Sequence, residues 1–208
     1  MKSPLNPDYL NKKFLDDGFL ILKNSIEIKN ILLMQEYAAN FLNSRNNPSS
    51  ILNAMEKLEA KDSKTFYKFC IKMGSIPPFL EIVLDKKIFS LIQKFLKKDI
   101  VHLVDAAVFF NKESVKRLQY DWHQEKAYFP LADEVITIWF PWLFNVSEKN
   151  GTMIMAKKAN KKIYNSKKKV TKNGLTQMTI EDDDLKDFEK VHCNLDLGDL
   201  ILFSCYSP

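Results

Sequence analysis

The sequence predicts an α+β fold in which helices cover an antiparallel sandwich or jelly roll. Up to about Lys98, apolar residues recur at three- and four-residue spacing with lysine and glutamate between them, as on amphipathic helices. After Asp99 the pattern changes to short apolar runs separated by turn residues, which is typical of strands. Helices first and strands afterwards favour one domain over residues 1–208, with 1–98 as a mainly helical cover and 99–208 as the sheet core.

The helical half begins with a short helix at Pro7–Asp17, which we expect to end at Gly18 before a strand-like Phe19–Leu22. Glycine commonly follows the last turn of a helix because it adopts the left-handed backbone conformation freely. Further helices with apolar stripes are predicted at 26–43, 50–60, 78–84 and 86–97. We interpret these stripes as the faces that pack on the sheet.

The second half reads as a series of short strands with turn residues between them. They are predicted at 100–110, 117–122, 134–144, 152–155, 175–180, 190–195 and 199–203. The sequence contains neither an internal repeat nor a clear linker, which agrees with one domain.

Composition argues against a nucleic-acid-binding protein despite the net charge of +5. Nearly all the positive charge is lysine, and Arg45 and Arg117 are the only arginines. Proteins that read nucleic acids usually rely on the arginine fork to bind guanine and phosphate. We therefore expect no nucleic-acid partner.

The cysteines and the apolar runs bear on the cellular compartment. Cys70, Cys193 and Cys205 are too few and too scattered for a disulfide framework or a zinc site. The first residues lack the apolar core of a signal peptide, and no apolar run approaches the roughly 20 residues that span a bilayer. We expect a cytoplasmic protein without a membrane span.

A candidate metal site lies in the segment Gln-Tyr-Asp-Trp-His-Gln-Glu at 119–125. His123 and Glu125 stand two residues apart after a strand-like run, and on a strand that spacing places both side chains on one face. An imidazole and a carboxylate are two of the three ligands in the facial triad that binds Fe(II). A His-x-Glu triplet also arises often by chance, and a surface histidine beside a surface glutamate is the alternative interpretation.

Several further segments occur in order around this triplet. They are Asp-Gly-Phe-Leu-Ile-Leu-Lys at 17–23, Trp-His-Gln-Glu with Tyr-Phe-Pro at 122–130, Ile-Thr-Ile-Trp-Phe-Pro-Trp at 136–142, Val-Ser-Glu-Lys-Asn-Gly-Thr-Met at 146–153 and Leu-Gly-Asp-Leu-Ile-Leu-Phe-Ser at 197–204. In these segments the sequence resembles the phytanoyl-CoA dioxygenase family of Fe(II)/2-oxoglutarate oxygenases. The resemblance extends over most of the chain.

The resemblance implies a single oxygenase domain with a double-stranded β-helix, a distorted and cupin-like jelly roll. It implies that His123 and Glu125 are the first two iron ligands. Most described members have aspartate where this sequence has Glu125, and glutamate carries the same charge on one more methylene group. Halogenating members replace this carboxylate by a small residue, so Glu125 favours hydroxylation.

The resemblance also implies residues that line the two pockets. Trp139, Val108, Gln124 and Lys64 correspond to the 2-oxoglutarate site, although strand alternation would point Gln124 away from iron. Tyr128, Phe129 and Trp142 are candidates for the substrate pocket, and core aromatics are the alternative interpretation for these three.

The sequence departs from the family pattern at its C-terminal end. A second iron histidine and an arginine that binds 2-oxoglutarate would follow the Gly-Asp pair, and their spacing from Gly198 would place both beyond Pro208. His192, His102 and Cys205 are alternative donors, although ordinary structural roles are expected for each. Either the sequence is part of a longer enzyme, or it is a natural truncation. In both cases we expect C-terminal strands of the jelly roll to be missing from residues 1–208.

The implied function is a dioxygenase that uses Fe(II), dioxygen and the cosubstrate 2-oxoglutarate to hydroxylate a small molecule, releasing succinate and carbon dioxide. The alternative is an inactive jelly-roll protein that binds a partner and lacks the third iron ligand. Residues 157–172 include eight lysines. They predict either a solvated loop or a basic rim that steers an anionic substrate.

Overall fold

The computed structural model describes residues 6–109, 120–170 and 176–208. Its helices are α1 Pro7–Asp17, α2 Ile28–Leu42, α3 Pro48–Lys61, α4 Ser63–Met73, α5 Pro77–Val83 and α6 Lys86–Leu96. Its strands are β1 Phe19–Leu22, β2 Ile136–Trp139, β3 Ile154–Ala156, β4 Lys167–Val170, β5 Thr176–Thr179, β6 Lys190–His192 and β7 Leu200–Ser204. Short 3-10 helices lie at Glu125–Ala127 and Asp182–Leu185.

Local capping explains where several helices begin and end. The side chains of Asn6, Asn47 and Asp85 accept hydrogen bonds from backbone N–H groups in the first turns of α1, α3 and α6. Gly18 follows α1 with φ of 87°, the left-handed conformation that glycine adopts without strain. The predicted helices are confirmed with small shifts of their ends.

The helix α4 was not predicted, although its sequence carries the signals of one. Asp62 accepts a hydrogen bond from the Thr65 N–H at 3.0 Å and caps the first turn. The apolar residues that follow at three- and four-residue spacing are buried, and they are Phe66, Phe69, Cys70 and Met73.

The central antiparallel sheet has the strand order β1-β7-β2 and separates two hydrophobic clusters. In β7, Leu200 and Leu202 pack in the cluster formed with the helices. Ile201 and Phe203 pack on the other face, in a cluster that includes Met155 of β3. Alternation along the strand therefore gives the sheet a helical layer on one face and the β3–β6 pair on the other.

The remaining described strands pair as β3 with β6 and β4 with β5, both antiparallel. The α+β class is therefore confirmed. The strands of the described residues form three separate small sheets and do not close into a barrel.

Two predicted segments differ from the structure. Residues 101–109 form no strand. This segment packs on α4 instead. The Val108 N–H donates to the Cys70 carbonyl at 3.1 Å, and a Cβ at Gly74 would lie 2.2 Å from the Ala106 oxygen. In the predicted lysine-rich loop, Lys167–Val170 is an exposed strand instead, because it pairs with β5. Residues 110, 117–119 and 175 of the predicted strands lie outside the described residues.

Asp199 joins the beginning of β7 to the end of β1. Its buried carboxylate accepts hydrogen bonds from Lys23 Nζ at 2.7 Å and the Asn24 N–H at 2.9 Å. It also accepts from the Asp196 N–H at 2.8 Å, within its own turn. Gly198, just before it, has φ of 99° and receives the Ser25 and Ile26 N–H groups on its carbonyl. This turn fixes where the central strand starts.

None of the helices in the described part of the chain is both long and apolar enough to cross a lipid bilayer.

Candidate metal centre

His123 and Glu125 lie side by side, with 3.4 Å between His123 Nε2 and Glu125 Oε1. The prediction of a strand is wrong for these residues. Residues 120–124 have no strand pairing, and Glu125 begins a 3-10 helix. Local hydrogen bonds produce this turn, because the Ala127 N–H donates to the Gln124 carbonyl and the Tyr128 N–H to the Glu125 carbonyl. A turn, rather than strand alternation, brings the His123 and Glu125 side chains together.

The orientation of the His123 ring suits a metal ligand. Its Nδ1 lies 2.8 Å from the Asp121 carbonyl oxygen, and since a carbonyl can only accept, Nδ1 must donate the hydrogen. In the neutral ring the lone pair then lies on Nε2, on the side of Glu125. Metal-binding histidines are commonly oriented by such a hydrogen bond from the other ring nitrogen.

The pKa of His123 is raised above its ordinary value. Burial, the largest single effect, lowers this pKa, but hydrogen bonds to the Glu125 carboxylate and the Asp121 carbonyl, with the negative charges of both residues, together outweigh it. The side chains of His123 and Glu125 are 24% and 23% exposed. Both side chains are therefore partly desolvated and still accessible from solvent.

Gln124, between the two donors, anchors the segment to the rest of the fold. Its side chain is buried, and its amide donates to the carbonyls of Lys162 at 2.9 Å and Tyr206 at 2.5 Å. Its Oε1 accepts from the Tyr164 N–H at 3.0 Å. These bonds hold the residues after β7 beside the segment that carries His123 and Glu125. The predicted contact of Gln124 with 2-oxoglutarate stays a prediction.

The β4–β5 hairpin supports the same segment from another side. The Ile180 N–H, just after β5, donates to the Trp122 carbonyl at 2.7 Å, and the Met178 N–H donates to the Tyr128 hydroxyl at 3.0 Å. Lys169 of β4 forms an ion pair with the Asp121 carboxylate. Sequence reasoning missed these contacts because they join positions far apart in the chain.

Aromatic rings surround His123. The rings of Tyr120 and Tyr128 each lie 5.8 Å from the His123 ring, centroid to centroid, and Phe109 meets Tyr120 edge-on at 6.0 Å. Burial raises the pKa of the Tyr120 hydroxyl, with smaller contributions from Tyr128, Glu125 and Tyr67. Tyr128 was predicted for the substrate pocket, whereas Tyr120 and Phe109 were not.

The other predicted pocket residues lie in different environments. The half-buried Trp139 packs on the β3 side of the central sheet, while Val108 and Trp142 are buried in the helical cluster on the opposite face. Phe129 follows the pair closely, with its N–H donating to the Glu125 carbonyl at 3.2 Å. Lys64 is exposed in the first turn of α4. The roles of these five residues stay predictions.

A family comparison gives these residues a context. The family model described as phytanoyl-CoA dioxygenase (PhyH) matches residues 14–207. The chain belongs to the phytanoyl-CoA dioxygenase family. This family suggests an oxygenase that acts on a small molecule with dioxygen, and iron and 2-oxoglutarate are typical of it. A comparison with curated proteins finds no match.

His123 and Glu125 have the donor types of two of the three ligands in a facial triad. Within the described ranges, no group of three His, Cys, Asp or Glu side chains is placed to hold a metal ion. His192 lies on β6 with Glu148 at 3.9 Å, and His102 is exposed. Cys205 is buried, and its sulfur accepts from the Val135 N–H at 3.4 Å.

Proposed function

We propose that this protein is an Fe(II)- and 2-oxoglutarate-dependent dioxygenase that hydroxylates a C–H bond of a small molecule and releases succinate and carbon dioxide. The observation that carries the proposal is the His123–Glu125 pair, with 3.4 Å between Nε2 and Oε1, in a chain that the family model matches over residues 14–207. One neutral imidazole and one carboxylate are the donor types that Fe(II) takes in such enzymes.

His123 and Glu125 would hold the iron, which, with 2-oxoglutarate bound, supplies the activation of dioxygen. The hydrogen bond to the Asp121 carbonyl leaves the Nε2 lone pair of His123 on the side of Glu125. Gln124 keeps both donors in place through its bonds to the Lys162, Tyr164 and Tyr206 backbone. Rigid support of this kind matters because a ligand displaced by a fraction of an ångström loses much of its affinity.

We assign the pocket residues to this function as predictions. Trp139, Gln124, Val108 and Lys64 would contact 2-oxoglutarate, and Tyr128, Phe129 and Trp142 would shape the substrate pocket. The ring of Tyr128, at 5.8 Å from that of His123, has the most direct support.

We further propose one oxygenase domain built as a double-stranded β-helix with a helical cover. In support, Leu200 and Leu202 of the central strand share a hydrophobic cluster with residues of all six described helices. The three cysteines are free and buried, which is the state expected in a reducing compartment such as the cytoplasm.

Metal binding tests the proposal. Mn(II), a redox-stable substitute for Fe(II), is titrated into the protein with 2-oxoglutarate and followed by electron paramagnetic resonance and calorimetry. We expect His123→Ala and Glu125→Gln to weaken Mn(II) binding by at least about 100-fold, or about 2.7 kcal/mol. The matched controls are His192→Ala and Glu148→Gln, which alter a second His–Glu pair with 3.9 Å between its nearest atoms.

Turnover is measured separately as succinate formed from 2-oxoglutarate under air with Fe(II). Loss of succinate formation in Glu125→Gln, with the controls unaffected, supports the oxygenase. Equal Mn(II) affinity in the wild type, the site variants and the control variants would reject it.

A second candidate is a non-catalytic family member that acts through binding. The specific observation in its favour is that the described residues offer two donors and no group of three. It predicts neither Mn(II)-dependent binding of 2-oxoglutarate nor succinate formation. The two experiments above therefore separate the candidates.

A further inference from the structure

An aromatic cluster, formed by Phe109, Tyr120 and Tyr128, lies beside His123 and Glu125, the two proposed metal ligands, which are called the metal pair below. The rings of Tyr120 and Tyr128 each lie 5.8 Å from the His123 ring, and Phe109 extends the series beyond Tyr120 at 6.0 Å. Phe109 and Tyr120 were not among the predicted site residues. The cluster reaches from the metal pair outward to the surface.

All three rings of the cluster are exposed to solvent. Phe109 is 64% exposed, Tyr120 45% and Tyr128 37%. Single exposed apolar side chains are common, but adjacent ones beside polar groups mark binding surfaces. Aromatic rings also bind planar ligands through stacked and edge-to-face contacts.

The Tyr128 ring is fixed in place rather than free to rotate away. Its hydroxyl accepts the Met178 N–H at 3.0 Å, and its ring meets the His123 ring at an interplanar angle of 82°. One side of the cluster is therefore positioned before any ligand binds, which reduces the entropy lost on binding.

Within the described residues, two lysines of β4 beside the cluster are paired with carboxylates. Lys169 pairs with Asp121, and Lys167 pairs with Glu181 at 2.9 Å. Lysines already engaged with carboxylates attract an anion weakly, so the surroundings favour an uncharged ligand.

We infer that the substrate contains an uncharged planar ring that packs against Tyr120 and Phe109 beside His123 and Glu125. Because these two rings are nearly perpendicular, the ligand ring would stack on one of them and meet the other edge-on. This inference rests on the proposed oxygenase function and adds the substrate class. Stacking of the ring there would hold a neighbouring C–H bond near the metal pair and would keep water away from that side.

Binding of indole, an uncharged planar probe, tests the inference by saturation-transfer NMR. We expect saturable binding that Tyr120→Ala and Phe109→Ala each weaken by about three- to tenfold, as expected for loss of one aromatic contact. Tyr120→Phe keeps the ring and is expected to keep the affinity. The matched control is Tyr37→Ala on α2, because Tyr37 has the same exposed fraction, 45%.

Two further probes define the ligand class. Indole-3-acetate is expected to bind no more tightly than indole, and cyclohexanol, which is apolar but not planar, more weakly than indole. Tighter binding of indole-3-acetate that is lost in Lys167→Glu or Lys168→Glu would overturn the inference in favour of anion recognition. Indole binding that is unchanged in Tyr120→Ala and Phe109→Ala would also overturn it.

The Mn(II) titration separates this inference from the proposed function. Mn(II) binding through His123 and Glu125 without Tyr120-dependent indole binding overturns the substrate class and leaves the oxygenase in place. Tyr120-dependent indole binding without Mn(II) binding supports the ring-binding surface and overturns the oxygenase. Glu125→Gln, which leaves every ring in place, is expected to lose Mn(II) and to retain indole.

Discussion

Replacement of Asp199 by asparagine is expected to lower the free energy of unfolding by about 2–4 kcal/mol. Asp199 is 2% exposed and accepts hydrogen bonds from Lys23 Nζ, the Asn24 N–H and the Asp196 N–H. These bonds connect the end of β1 with the start of β7, the central strand of the main sheet. The substitution therefore acts at the point where this sheet is aligned.

The magnitude follows from the donors that asparagine leaves without an acceptor. Its oxygen can still accept from the Asn24 N–H, whereas its Nδ2 faces the Lys23 and Asp196 donors. Each lost hydrogen bond to a charged acceptor costs about 1.5–3 kcal/mol. The Lys23 bond belongs at or below the lower end of that range, because the lysine side chain is 53% exposed and solvent screens its charge.

The effect should also depend on pH. Burial raises the pKa of Asp199 and is the largest single effect, but the hydrogen bonds from Lys23, Asn24 and Asp196 together outweigh it, so the pKa is lowered. With the folded pKa below the unfolded value of about 3.9, the stabilisation is present above that pH. It is lost as the pH falls through the folded pKa.

The assay is urea unfolding of the wild type and Asp199→Asn, followed by circular dichroism of the helices at pH 7 and at acidic pH. The control is Asp16→Asn, which removes an exposed ion pair with Lys12 at 2.6 Å and is expected to change stability little. An unchanged urea midpoint at pH 7 would refute the reasoning. So would a difference from the wild type that stays constant as Asp199 becomes protonated.

Three other substitutions test other parts of the structure. Gln124→Leu is expected to cost about 2–4 kcal/mol of unfolding free energy, because it removes one buried and two partly buried hydrogen bonds to backbone groups. An unchanged melting temperature would contradict this. Gly74→Ala should destabilise the protein, since its Cβ would lie 2.2 Å from the Ala106 oxygen, and faster proteolysis near residue 106 is the readout. Glu125→Asp keeps the charge and should retain Mn(II) binding within about tenfold, whereas a loss as large as in Glu125→Gln would show that carboxylate reach, not charge, limits binding.

Much of the helical half could be predicted because its signals are local. Asn6, Asn47 and Asp85 cap helices within a few residues of their own positions, and apolar spacing marks the buried faces. The missed helix α4 had both signals, beginning with the Asp62 cap. The local sequence therefore contains enough information to predict α4.

The strands were less predictable because their partners are distant in sequence. Residues 101–109 have a strand-like composition but pack on α4, where the Val108 N–H bonds to the Cys70 carbonyl. Lys167–Val170 reads as a solvated loop, yet it forms a strand because β5 supplies the ladder and Glu181 compensates the charge of Lys167.

The sequence by itself determined the α+β class, the helical positions and the pairing of His123 with Glu125, because periodicity, caps and a two-residue spacing act over short distances. The tertiary structure alone decided that this pair meets on a turn, that the Asp121 carbonyl orients His123 and that the rings of Tyr120 and Phe109 lie next to it. Gln124 and the β4–β5 pair hold that arrangement through hydrogen bonds to residues 38 to 82 positions away. Such contacts depend on how the whole chain packs, so no local pattern could indicate them.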